Sequence, residues 1–225
     1  MLAAITYFCA GSVVSAGAFS DFISLVWDEV KESHALGPAL GIVIGVLLLP
    51  LRQWLTRARV RIVFAESDAL IGLHERVHVT DGKAVRSRYI FCRGYAKNLS
   101  SNIADQCRVY LTRIEKMDEE GRFHRKDFLD NIQLAWSARP KEARFDAISL
   151  PKGLEQCFDV FLLNDAERER GLQLQLLYTP TRYTLLCSEP GTYRFTVLIA
   201  GQSVVPRSAA LTVEWTGEME GLRLR

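Results

Sequence analysis

The residues of this chain whose types and spacing suit chemistry are His74, Glu75 and His78, in the run His74-Glu75-Arg76-Val77-His78. On a helix, two imidazoles four residues apart share a face and hold one zinc ion, while the glutamate between them activates a metal-bound water as general base. A membrane-bound zinc hydrolase is therefore one function class to weigh. That chemistry needs a helix, a third ligand and an apolar setting, and the flanking residues oppose it. Val77-His78-Val79-Thr80 before Asp81-Gly82 has the alternation and turn residues of a strand running into a hairpin. On a strand, at about 3.3 Å per residue, His74 and His78 stand about 13 Å apart. Arg76 places a further charge inside the motif, and His124 is the only other histidine after residue 56 to serve as a third ligand. The expectation is strand or loop histidines, with no metal and no cofactor.

Other chemistry is sparser still. The chain has no glycine-rich phosphate loop, no G-x-S-x-G and no cysteine beside a convincing histidine. Asp118, Glu119 and Glu120 beside Gly121 read as a solvated hairpin tip. Phe123, Trp136 and Phe145 suit core packing better than an aromatic binding surface. Cys92, Cys107, Cys157 and Cys187 lack C-x-x-C spacing and sit in or beside apolar segments, as small buried hydrophobes do in a reducing compartment. Placement outside the cell would instead allow one or two disulfides. Asn98-Leu99-Ser100 is a glycosylation sequon by letter, and such triplets are common by chance.

The elements that must position these residues begin at a membrane. Ala35 to Leu51 is a run of seventeen residues without a charge, followed by Arg52, Trp54, Arg57, Arg59 and Arg61. An apolar run near bilayer length, closed by an aromatic and arginines, predicts a transmembrane helix whose C-terminal end sits at the interface. Pro38 and Pro50 fall where a helix tolerates or ends with them. Met1 to Ser20 is a second uncharged run. Ala16-Gly17-Ala18 has the small-x-small form of a signal cleavage site, but no basic residue precedes the apolar core, which favours a retained helix. The expected hairpin occupies 1–56, with helices over about 2–26 and 35–54. Trp27 and Trp54 then lie near opposite interfaces. Lys31 is the one basic residue between the runs, whereas Arg52, Arg57, Arg59 and Arg61 follow the second. Both the N-terminus and the domain after residue 56 are therefore expected in the cytoplasm. Gly37, Gly41 and Gly45 share one helix face and allow close backbone approach, either within the hairpin or between copies of the chain. Neither run contains a buried charge of the kind that marks an ion path, which argues against a transporter or channel.

The formal net charge is only +2, and much of the positive excess is the arginine group after residue 51, so a nucleic-acid partner is not expected. From Val60 onward short alternating segments take over. Leu172 to Leu176, Tyr193 to Ile199 and Leu211 to Trp215 show a period of two. Further strands are expected at Tyr89–Ala96, Cys107–Glu115, Ile132–Trp136, Phe145–Ile148, Phe158–Leu163 and Thr184–Cys187. Asp165 to Arg170 reads as an exposed charged loop rather than a helical turn. The turn residues between the segments complete the pattern of an all-β, antiparallel two-sheet sandwich of about seven to nine strands over 57–225.

Glu189-Pro190-Gly191-Thr192-Tyr193-Arg194-Phe195 resembles the corner before the next-to-last strand of immunoglobulin-like domains. There the tyrosine hydroxyl bonds back to the corner backbone, the role the resemblance implies for Tyr193. Phe195 stands where antibody domains place a cysteine, so the resemblance concerns architecture only. The layout is also similar to that of bacterial membrane proteins joining a helical hairpin to a sandwich, a resemblance that supplies no activity. The function expected is that of a membrane-anchored, non-enzymatic protein whose cytoplasmic sandwich binds a protein partner through its loops or sheet edges. Leu99–Asp105, Met117–Lys126 and Gly201–Arg207 are the most polar of those loops. The alternatives are the zinc hydrolase and a membrane scaffold oligomerising through Gly37, Gly41 and Gly45.

Overall fold

The computed structural model describes residues 56–64, 71–80, 83–137 and 139–225, with backbone alone for 71–80 and 83–86. The expected membrane hairpin, with Trp27, Gly37, Gly41, Gly45, Arg52 and Trp54, lies outside the described residues. Among the described residues no helix is long and apolar enough to cross a membrane.

Those residues form an all-β unit of two antiparallel sheets. In the first sheet, β3 (Lys83–Asn98) is the centre. One of its edges carries β1 (Val60–Val63) and then β2 (Ile71–Thr80); the other pairs with β9 (Glu155–Asn164). β9 in turn pairs with β7 (Ala135–Trp136) and β10 (Gln173–Leu174). In the second sheet, β4 (Ala104–Met117) lies between β11 (Gly191–Ala200) and the short strands β5 (Phe123–Arg125) and β6 (Ile132–Gln133). β8 (Ile148–Leu150) joins the first residues of β4, while β12 (Arg207–Trp215) and β13 (Arg223–Leu224) continue outward from β11.

One apolar core lies between the sheets. Tyr193, Phe195, Val197 and Ile199 on β11 and Leu211, Val213 and Trp215 on β12 face it on every second residue. The Phe161 and Phe195 rings meet across it at 5.5 Å. Two bulges reset the alternation. Opposite β3, the register skips one residue of β9 between Asp159 and Phe161, so the neighbours Val160 and Phe161 are both buried. In β4 the skipped residue is Thr112, whose hydroxyl donates to the Thr196 carbonyl. That shift keeps Arg113 outside and turns Ile114 inward.

Ile132 to Trp136 divides between the sheets. Ile132 and Gln133 pair with Leu111 and Tyr110, whereas Ala135 and Trp136 pair with Asp159 and Phe158. Fully buried Leu134 is the crossing point, and its N–H donates to the Val109 carbonyl. Trp136 packs edge-on against Phe158, which also meets Phe64 edge-on over Gly94. Trp136 is thus a core residue, as expected. Phe123 and Phe145 are half-buried, under the guanidiniums of Arg194 and Arg144.

Several expected elements differ. Leu172–Leu176 pairs regularly only at Gln173 and Leu174, because Leu172 donates instead to the Cys187 carbonyl and Leu176 makes a single bridge to Leu134. Thr184–Cys187 is a run of turns after a 3₁₀ helix, Thr181–Tyr183, that begins directly after Pro180. The strand expected at Phe145–Ile148 starts only at Ile148. Asp165–Arg170 is a 3₁₀ helix and not a loop: the Asn164 side chain caps its first turn, and Arg168 and Arg170 pair back to Asp165 and Glu167.

Candidate interaction surface

His74, Glu75 and His78 are three residues of β2, opposite Tyr89, Arg88 and Val85 of β3. The helical face that would bring the two imidazoles onto one zinc is not formed. Among the described residues no group of three histidine, cysteine or acidic side chains is placed to hold a metal. His124 lies on β5 instead, hydrogen-bonded to Asp118 at the exposed β4–β5 hairpin with Arg122 on the same carboxylate. That hairpin is the solvated charged tip the sequence suggests. Cys92, Cys107, Cys157 and Cys187 are free thiols. Burial pushes the Cys187 thiol up to about 12 and Cys107 to about 11, and raises Cys92 as well, so none of these three is a ready nucleophile.

Arg57, Arg59 and Arg61 lie exposed along the first described segment, alternating with buried Ala58, Val60 and Ile62. Arg57, Arg59 and Arg61 are thus the outward positions of an extended segment, while Arg52 lies outside the described residues. Of the polar loops, 99–105 and 201–207 are bonded to each other: the Ser203 hydroxyl donates to the Ile103 carbonyl and accepts from the Asp105 N–H.

A different surface stands out in the structure. Leu129, Leu177, Tyr178 and Leu185 are 66%, 51%, 58% and 61% exposed. They belong to two segments that are joined to one another, after β5 and after β10. Phe128 and Tyr183 form the floor, both buried with rings 4.8 Å apart. The Tyr183 hydroxyl donates to the Asp130 carboxylate at 2.8 Å and accepts from the Leu129 N–H. Arg182 donates to the same carboxylate at 2.6 Å and lies over the Tyr183 ring. The Tyr183 and Arg182 hydrogen bonds hold the Asp130 carboxyl below the ordinary carboxylate range. Leu177 is fixed by its N–H bond to the Gln133 carbonyl.

Leu129 and Leu185 thus flank a braced pair of buried rings with an arginine and a carboxylate beside them, and Leu177 and Tyr178 are exposed on the segment that leads to Tyr183. Burying what remains exposed of each leucine against a partner would contribute about 1–2 kcal/mol of apolar transfer. From the sequence, Leu185 is expected within a strand, and Leu129, Leu177 and Tyr178 have no assigned role. The available signal was the unbroken Leu176-Leu177-Tyr178 run and the pair Leu185-Leu186, where neighbouring apolar residues in extended chain cannot all face one core.

The fold and this surface define an all-β domain with an exposed apolar face. No protein-family model matches the chain, and no match was found among curated proteins.

Proposed function

We propose that the chain is a membrane-anchored, non-enzymatic interaction protein, with an immunoglobulin-like β-sandwich that binds a protein partner through Leu129, Leu177, Tyr178 and Leu185. The observation that carries the reading is the exposure of those four large apolar side chains on two segments that the Tyr183–Asp130 and Arg182–Asp130 hydrogen bonds join. The immunoglobulin-like assignment is supported by the corner before β11, where the buried Tyr193 hydroxyl donates to the Glu189 carbonyl at 2.6 Å. Anchoring is supported by the uncharged runs before Arg52, and a cytoplasmic domain by the arginines that follow.

A photo-crosslinking residue at Leu177 in the full chain, in its native membranes, tests the binding reading. A discrete product, lost on Leu129→Asp and absent when the probe stands at exposed Lys141, is expected. A product of twice the chain's mass identifies the partner as a second copy. Labelling at Leu177 no greater than at Lys141 refutes the surface. Retention of the chain in membranes after alkaline extraction tests the anchor, and a one-sided reporter fused after Arg225 tests orientation.

A further inference from the structure

The end of the unit at which the chain arrives from residue 55 carries a second set of exposed aliphatics. Leu99, Ile103 and Leu154 are 56%, 53% and 51% exposed. They lie on two loops, between β3 and β4 and between β8 and β9, which one buried residue ties together. The Asn98 side-chain amide donates to the Asn102 and Leu150 carbonyls, both at 2.7 Å, and its carbonyl oxygen accepts from the N–H and hydroxyl of Ser100. The Asn98 backbone closes the other side: its N–H donates to the Leu154 carbonyl, and its carbonyl accepts from Gly153. Asn102 reaches the arriving chain, its amide donating to the Thr56 carbonyl at 2.6 Å, and the Leu99 N–H donates to the Arg59 carbonyl. The aliphatics therefore stand on a fixed platform beside Thr56.

The charges around this platform are mainly positive. Arg57, Arg59, Lys152 and Arg207 are exposed there, against Asp105; Glu155 is paired with Lys97. The chain reaches this end directly from its uncharged run. Leu51 and Thr56 are five residues apart, at most about 18 Å of extended backbone. Exposed aliphatics ringed by arginine and lysine, a few residues from a membrane segment, match the outer boundary of an anionic bilayer, where apolar tips enter the acyl edge and cations stay among the headgroups.

We propose that Leu99, Ile103 and Leu154, with Arg57, Arg59 and Lys152, form a lipid-docking platform that seats the β domain on the surface of an anionic bilayer. This rests on the anchored reading above. It sets the domain's orientation: β4 starts on the platform at Ala104 and ends at Met117, so the end that bears Met117 faces away from the lipid.

The test uses the full chain in vesicles of about one-third phosphatidylserine containing nitroxide-labelled acyl chains, with a genetically encoded fluorescent amino acid at Leu154 or, as control, at Leu177. The expected result is nitroxide quenching at Leu154 at least about threefold that at Leu177, falling in purely zwitterionic vesicles and in the Arg57→Gln, Arg59→Gln variant. A chain retained through alkaline extraction but quenched equally at the two sites overturns the platform and leaves the anchor standing. Shielding of Leu154 from aqueous iodide without nitroxide quenching overturns it in favour of a protein cover. Release of the chain on alkaline extraction removes the anchored reading itself.

Discussion

Replacing Asn98 with alanine should loosen the whole platform beside Thr56, and the cost can be worked from its partners. The side chain makes four hydrogen bonds, two as donor and two as acceptor. A typical bond contributes about 1 kcal/mol net, and a buried group left without its partner costs about 1–3 kcal/mol. Ser100 and the Asn102 carbonyl lie near the surface and regain water, whereas the bond to the Leu150 carbonyl is buried. The loss should therefore be about 3 kcal/mol. In a domain of this size that lowers the melting temperature by roughly 6–12 °C. Circular dichroism of the full chain in detergent, followed through thermal unfolding of the β signal, measures it. Asn98→Asp gives a sharper check. The introduced carboxyl faces two carbonyls that required donors, so its folded pKa rises above the unfolded value of about 3.9. It is tolerated best below that value and becomes more destabilising as pH rises toward neutrality. A melting temperature for Asn98→Ala within about 1 °C of the parent, or an Asn98→Asp penalty that does not grow with pH, would refute the reasoning.

Gly94 lies directly opposite Phe158, and a Cβ there would sit 2.4 Å from that ring and 2.7 Å from Phe64, so Gly94→Ala should cost about 1–3 kcal/mol by overpacking, read from denaturant unfolding. The Arg194 guanidinium holds the Glu115 carboxyl below the ordinary carboxylate range, so its stabilisation is present above that range and lost as pH falls through the folded pKa. Glu115→Gln should therefore be less stable than the parent at pH 7, with the difference shrinking toward pH about 3; a gap that holds constant with pH counts against the pair. Half-buried Cys157 should react with a thiol reagent before buried Cys92, Cys107 and Cys187 in the native protein, and Cys157→Ser should remove the faster of those phases.

The strands most legible in the sequence were those with an uninterrupted period of two and one partner face, as in Tyr193 to Ile199 and Leu211 to Trp215. The bond from the Tyr193 hydroxyl to the Glu189 carbonyl is legible for a different reason: it spans only four residues of sequence. Ile132 to Trp136 has the pattern of one strand, because nothing in its residues reveals that Leu134 hands the chain from one sheet to the other. The bulges at Thr112 and beside Val160 depend on the strand opposite and leave no mark in either segment alone. Val77 to Thr80 carried a strand signature, but Ile71 to Arg76 hid theirs behind His74, Glu75 and Arg76. In the sequence Asn98 is only the first letter of a sequon, whereas in the fold its buried amide joins loops that lie far apart in the chain. Exposure of Leu129, Leu177, Tyr178 and Leu185 is a tertiary property, since the same side chains packed inward would give the same sequence.

The bonds around Ala58 also set an order of events during synthesis. Its N–H donates to the Ser203 carbonyl, its carbonyl accepts from Val205, and it bridges Val204 in parallel. The first residues of the domain to leave the ribosome are thus secured by some of the last. β1 can pair with β3 early, but the clasp on Ala58 waits until the β11–β12 loop has been made. In a nascent chain stalled before Ser203, Ala58 would lack this clasp, and the first strand of the domain would be held by β3 alone.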